Sequence, residues 1–444
     1  MIPAIFKNFY NVRMDILIGV GFWSLTVSAD NEFSFSLEES RDFYSNLKIA
    51  INDHPEKSLQ FALIDQETSQ IDIIRSDFGL KSYFEINSKS KPLDSEYDSF
   101  FQSIQEKDST TTDQTIVLEK LLSDFGKTKN KIQEYENLAQ AQSHKSANEI
   151  SRLALNMINS CFDTAFYSLL MNIADISLLR HQEINALIES RVNSGRAAGR
   201  ELSRSMARVA EAEAKKIMIN NGLLAAQSRY KNYFNNEKFC IKFPQITFSI
   251  LTNKQAIDIA FKENELIQSI NFRISAIEKE INAIKRSRFP VIKGQIRSEK
   301  TDISNTDDYL LIGGITFNLP IYQGKKTVYE KKKATYKLNA AQFELAAKKL
   351  EIQSVIESNL AEINQSKLQE ESLLKAFEAN SISVEQLNSQ FFSANVSLLE
   401  LLQAERDFMD AAERYLNIAK ELRMAQFKHL LYTGRLNTFL QMEF

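Results

Sequence analysis

The sequence predicts a mainly α-helical protein with a small β part, built from two copies of one unit. Each unit reads helix, strand, loop, strand, very long helix, turn, long helix. Three observations carry this prediction: an internal duplication, apolar residues at heptad spacing over long stretches, and only 12 Gly and 6 Pro to punctuate 444 residues. Ala, Leu, Ile, Glu, Lys and Gln recur through most of the chain, which is the composition of long helices.

The duplication sets the element order. His54-Pro55-Glu56 opens a polar helical stretch ending at Asp77-Phe78-Gly79, and Lys81 to Ile86 follow as a strand. Asn264-Glu265-Leu266 opens a similar stretch ending at Arg288-Phe289-Pro290, followed by Val291 to Ile296. The offset between copies is 211 residues (78 against 289), but 198 when Gly126 is set against Gly324 and 199 when Glu201 is set against Glu400. The first copy therefore holds the longer loop between its strands, about 88–114 against about 299–308. Repeats of 30–240 and 241–444 result. Their strands are expected at about 79–90, 112–125, 291–300 and 309–320, and their long helices at about 127–234 and 325–432.

Heptad-like stripes mark the helices. Ala334, Leu338, Ala341, Leu345, Ile352, Ile356 and Ile363 form one, and Leu398, Leu401, Phe408, Ala412, Tyr415, Ala419 and Leu422 form another. A helix over 325–378 extends about 80 Å at the usual rise, so it needs partner helices along its whole course. The strand segment Leu310 to Leu319 alternates Ile315, Phe317 and Leu319 against Gly314, Thr316 and Asn318. That alternation suits a membrane barrel with lipid outside and water within, and a soluble hairpin shares it.

At the N-terminus, Lys7 and Arg13 precede an apolar run from Ile16 to Val27, and Val27-Ser28-Ala29 offers small residues for cleavage. The run is too short to span a bilayer and reads as a secretory signal over 1–29, with a buried N-terminal helix as the alternative. Without Lys7, Arg13 and Asp15 the net charge of −3 becomes −4. No later run is long and apolar enough for a membrane helix, so entry into a membrane would require strands closing a barrel. Cys161 and Cys240 could bond in an oxidising compartment, but two unpaired thiols are the expectation. The near-neutral charge gives no reason to expect nucleic acid as a partner.

From Phe289-Pro290 onward, and above all at Gly314 to Asn318 followed by Leu319-Pro320-Ile321-Tyr322-Gln323-Gly324-Lys325, the sequence resembles the TolC-like outer-membrane efflux proteins. The physical logic of that motif is readable. Pro320 can neither donate to a ladder nor continue a helix, so it fixes the bend from strand to helix, and Gly324 permits the tight path beyond it. Gly126 holds the corresponding place in the first copy. Leu398 to Ala404 resembles the family's second periplasmic turn, and Thr433-Gly434-Arg435-Leu436 its helix-ending motif. With the duplication, the resemblance covers residues from about 40 to 440.

The resemblance implies a homotrimer whose twelve strands close a barrel in the outer membrane and whose helices continue as a hollow α-barrel through the periplasm. It implies a periplasmic adaptor and an inner-membrane transporter of ABC or RND type as partners. The role would be an exit duct for multidrug efflux or type I secretion, with outer-membrane lipid around the strands and no cofactor. By position, Glu400 stands where the family places a pore-facing acid, Gln403 where a second acid is common, and Phe391 where an aromatic lock sits. Glu201 is then the expected partner of Phe391, with Arg200 beside it. Ser194 and Gly195 occupy the first adaptor-docking turn, and Ala394 and Asn395 the second. Gln403 departs from the pattern and leaves at most one acid per protomer in that ring.

Catalysis has little support in the residues. His54, His144, His181 and His429 are scattered without metal-ligand spacing. Gly313-Gly314 is no phosphate loop, since Pro320 and a strand follow where a P-loop would have a lysine and a helix. The alternative to a duct is a periplasmic or cytosolic coiled-coil scaffold without a pore. For such a scaffold Glu400 and Glu201 are ordinary solvated helix surface.

Overall fold

The computed structural model describes residues 36–91, 109–235, 238–246, 251–303, 306–393 and 396–442. The expected signal segment and the tip residues Ala394 and Asn395 lie outside the described residues. The chain runs α1 (Leu37–Asp53), α2 (Pro55–Arg75), β1 (Leu80–Lys91), β2 (Ser109–Ser123), α3 (Lys127–Asn193) and α4 (Gly199–Phe234). It continues α5 (Asn253–Glu263), α6 (Glu265–Arg286), β3 (Val291–Ile303), β4 (Thr306–Asn318), α7 (Lys326–Phe392), α8 (Leu398–Tyr432) and α9 (Leu436–Phe439). All four strands run past the hairpin ends that sequence alternation marked, so both loops are shorter than expected.

Inside each repeat one further helix, α1 or α5, precedes the duplicated stretch. The duplicated signals His54 and Asn264 are N-caps that divide α1 from α2 and α5 from α6. Both hold extended backbone, with ψ of 132° and 122°. His54 Nδ1 accepts from the Glu56 amide at 3.2 Å, and Asn264 Oδ1 accepts from the Leu266 amide at 3.0 Å. Pro55 at the first helical position costs α2 no hydrogen bond.

Helices α3 and α7 have 67 residues each, so each is about 100 Å long. Both begin after two consecutive left-handed residues, Phe125-Gly126 and Gly324-Lys325. The structural equivalent of Gly126 is therefore Lys325, one residue beyond the Gly324 that sequence alignment chose. Ahead of Gly126, Asp124 is buried and accepts from the Gly126 and Thr128 amides at 3.1 and 2.6 Å. In the second copy β4 ends at Asn318, and Leu319, Pro320 and Ile321 carry the chain round the bend without regular structure.

One core lies at mid-height. Phe43 and Leu47 from α1, Phe162 from α3, Phe243 from the connector, and Tyr415 and Phe427 from α8 meet there. Cys161 and Cys240 form a disulfide inside it, which corrects the expectation of two free thiols. The bond ties the connector between the copies to the middle of α3, a juxtaposition that no local sequence signal announces. Replacing both cysteines by Ala is expected to cost about 2–5 kcal/mol. Thermal unfolding under non-reducing conditions would read this as a lower midpoint than wild type.

Gly434 ends α8 with φ +76°, and the Arg435 amide bonds back to the Leu430 carbonyl at 2.8 Å. A Cβ at this position would lie 2.3 Å from the Glu263 carbonyl oxygen, which is backbone at the α5–α6 junction. Gly195 ends α3 with φ +73° but has open space around it. Gly195→Ala should therefore cost about 1 kcal/mol, the left-handed strain alone. Gly434→Ala adds the collision and should exceed that by at least about 2 kcal/mol in the same unfolding assay.

Candidate functional site

Two regions hold the predicted site residues: the sheet at one end of the long helices and the helix turns at the other. The sheet is antiparallel in the order β1-β2-β3-β4. Its register sets Phe84 opposite Ile116, Leu118 opposite Ile296, and Gly294 opposite Ile315. One face therefore gathers Leu80, Phe84, Ile86, Ile116, Ile296, Leu311, Ile315 and Phe317, all of them exposed. The other face carries Lys81, Glu85, Asn87, Glu119, Lys293, Gln295, Arg297 and Thr316, with Tyr83, Val117, Leu310 and Ile312 as apolar exceptions. On the polar face Lys293 pairs with Glu119 at 2.7 Å. An apolar sheet face of this extent marks a surface that meets a protein partner or a membrane. No described helix is long and apolar enough to cross a membrane.

The helices continue the order of the strands. Near the sheet they pack as a layer α2-α3-α6-α7, and toward the turns as α4-α3-α8-α7. Both layers, like the sheet, have two unlike open edges. On the free side of α7, Tyr329, Tyr336, Phe343 and Leu350 recur every seven residues, 61–76% exposed. On α2, at the opposite edge, Leu59 and Ile73 are exposed two heptads apart.

At the turn end, Ile184 and Ile188 of α3 meet Phe391 of α7 and Leu398, Leu401 and Leu402 of α8 in a small separate cluster. Phe391 is buried there, and the Arg191 guanidinium lies 4.8 Å from its ring centroid. Arg191 also donates to the Phe391 carbonyl at 3.0 Å, which satisfies a carbonyl left free at the end of α7. Arg191, which no sequence motif singled out, meets Phe391 within the chain. Glu201 lies half-buried in the first turn of α4, and Arg200 beside it is exposed. Ser194 and Gly195 lie in the exposed first turn, where the Arg196 Nε donates to Ser194 Oγ at 3.0 Å.

Glu400 is exposed and closes a capping box with Ser397. Its amide donates to Ser397 Oγ at 3.3 Å while its carboxylate accepts from the Ser397 amide at 3.4 Å. Gln403, also exposed, donates to Asp407 at 2.8 Å. Glu400, Gln403 and Asp407 share one side of α8, so this stripe holds a second carboxylate one turn beyond Gln403.

Comparison with solved structures gives long, near-complete matches at low identity. The chain superposes on the CmeC outer membrane channel of Campylobacter jejuni with a TM-score of 0.76, at 12% identity, over 94% of this chain and 93% of that one. The outer membrane protein VceC of Vibrio cholerae gives 0.74 at 12%, over 90% and 98%. The open state of the MtrE outer membrane channel of Neisseria gonorrhoeae gives 0.71 at 14%, over 88% of each. The chain has the fold of the TolC-like outer-membrane channels. No family model matches it, and no curated protein matches its sequence.

In this channel-fold chain the α3–α8 seam carries one polar layer that sequence reasoning missed. Glu405 is fully buried, with Arg180 Nη1 at 3.6 Å and neither carboxylate oxygen hydrogen-bonded. Burial, only partly opposed by Arg180, pushes its carboxyl up to about 7. His181 is 8% exposed with Nδ1 unpartnered, and burial and then Arg208 hold its imidazole below the ordinary value. The signal was present in the heptad stripe, which reads Leu398, Leu401, then a gap at 405, then Phe408 and Ala412.

Proposed function

We propose that the protein is a passive exit duct of the outer membrane, a homotrimer whose twelve strands close a barrel around a water-filled lumen. The apolar, exposed sheet face carries this reading. Facing lipid is the arrangement that gives those side chains an apolar surrounding while the charged face meets water. The unlike open edges support cyclic closure, since head-to-tail contacts of one edge on the other form rings when the rotation closes. The helices then extend into the periplasm, where an adaptor docks at the turns around Ser194, Gly195, Ala394 and Asn395. An inner-membrane transporter of ABC or RND type delivers cargo for efflux or type I secretion. Exposed Arg196, Arg200 and Arg204 give the first turn a basic surface suited to an acidic adaptor segment. Three copies of Glu400 and Asp407 form carboxylate rings that favour cations at the entrance, Gln403 holds Asp407, and the Phe391–Arg191 contact holds each α7 end in place.

The test is reconstitution of detergent-purified protein into planar bilayers, together with fractionation of the expressing cells. Recovery in the outer membrane with discrete conductance steps is the expected outcome. A water-soluble protein that never raises bilayer conductance would sink the duct and leave the coiled-coil scaffold.

A further inference from the structure

Along α8, the residues facing α3 run from the turn-end cluster (Leu398, Leu401, Leu402) through Glu405 to the main core (Phe408, Met409, Ala412). Along α3, the same path runs from Ile188 and Ile184 through Arg180 and His181 to Ala174 and Leu170. The seam is therefore two apolar blocks separated by one ionisable layer. A cavity of about 160 Å³ adjoins that layer and extends toward α4. We infer that the Glu405–Arg180–His181 layer is a titratable break in the α3–α8 seam, at which the turn end separates from α3 while the core above stays closed.

Two physical facts support the break. A polar residue at a single core position of a helix seam lowers its stability and acts as a switch or register point. The three atoms that would have to satisfy one another, both Glu405 oxygens and Arg180 Nη1, make no hydrogen bond, so the packed layer is held weakly. The ionisable groups lining the cavity come from three helices: His181 from α3, Arg208, Glu211 and Lys215 from α4, and Glu405, Arg406 and Asp410 from α8, with Arg180 of α3 on the other side of Glu405. Arg208 pairs with Glu211, and Lys215 with Glu413 at 2.7 Å, so those cations are not free to neutralise Glu405.

The direction with pH follows from the packed state holding a proton on Glu405 up to about 7, against 4.5 for the ordinary carboxyl. The stability that protonated Glu405 lends to the packed seam is complete below the ordinary value. It is lost as pH rises through about 7. His181 has the opposite sign, since its depressed imidazole lets go of the packed seam as pH falls. Separation at this layer would widen the periplasmic end. That consequence rests on the exit-duct reading, but the separation itself does not.

Hydrogen exchange on the detergent-solubilised oligomer tests the separation without any need for conduction. Amides in 184–191 and 401–408 are compared with those in 153–166 and 412–422, between about pH 6 and about pH 8.5. The opening constant of the turn end in wild type, divided by that in Glu405→Gln, should rise about tenfold across this range, because His181 acts equally in both. Glu405→Leu combined with Arg180→Leu and His181→Leu makes the seam continuously apolar and should protect the turn end more than wild type at every pH. Identical pH profiles for wild type and Glu405→Gln would overturn the inference. So would a wild-type seam whose turn end and core exchange at one common rate. Absent conductance with the expected exchange pattern would count against the duct alone.

Discussion

The double substitution Tyr336→Glu and Phe343→Glu is expected to leave the chain monomeric. Both side chains lie on the free side of α7, 61% and 76% exposed, within the heptad stripe from Tyr329 to Leu350. A 67-residue helix with one bare apolar stripe is half of a coiled-coil seam, and under the duct reading its partner comes from another copy. Burying a Tyr or Phe side chain contributes about 1.5–3 kcal/mol, and a glutamate forced into the same contact adds the cost of an unpaired buried charge. In a closed ring each substitution acts at every interface, so the two together should outweigh the association energy of the helical layer. Light scattering of the purified protein should report a single-chain mass where wild type reports several. A variant that keeps the wild-type mass would place the inter-subunit seam elsewhere. Glu substitutions at exposed Thr335 and Gln342, about a quarter-turn around α7 from the stripe, serve as the control for charge alone.

The long elements were legible because their physics is periodic. Ala412, Tyr415, Ala419 and Leu422 recur at coiled-coil spacing because one side of α8 is buried against its neighbours along its whole length. Ile315 and Phe317 alternate with Thr316 and Asn318 because the two faces of β4 meet different surroundings. What escaped notice depends on pairings that no local pattern records. The Cys161–Cys240 bond joins residues 79 apart across a connector, and nothing near either cysteine announces the other. Arg191 was missed at Phe391 because the two are brought together by the packing of α3 on α8 and α7, not by sequence distance. Helices α1 and α5 were missed because the repeat signals at His54 and Asn264 are caps inside a helix pair, and a cap looks the same wherever a helix begins. Glu405 is the instructive case. Its position was defined by the stripe around it, and it was passed over because a charged residue does not count as part of an apolar pattern. A seam that skips one core position with a glutamate carries more information about function than the seam itself.

The second large effect concerns the sheet. Leu311→Arg and Ile315→Arg together are expected to remove the protein from the outer membrane, whereas Gln295→Arg, on the opposite face beside Gly314, is expected to be tolerated. Leu311 and Ile315 are 74% and 73% exposed on the face that the duct reading assigns to lipid. An arginine on the lipid face of a membrane barrel costs about 2–4 kcal/mol near the bilayer midplane and little on the lumen face. In a trimer each substitution is present three times, so the pair places six charges in hydrocarbon, for a total of about 12–24 kcal/mol at the same per-residue figure. That total rivals or exceeds the whole stability of a typical domain, about 5–15 kcal/mol. The readout is the fraction of protein recovered in outer-membrane vesicles, with Gln295→Arg as the matched control for added charge. If all three arginines insert equally well, the bare face meets something other than lipid, such as a protein partner that covers it in solution. If only the Leu311 and Ile315 variants fail, the two faces of one four-stranded sheet are solvated by different media, which is the physical content of calling the protein a duct.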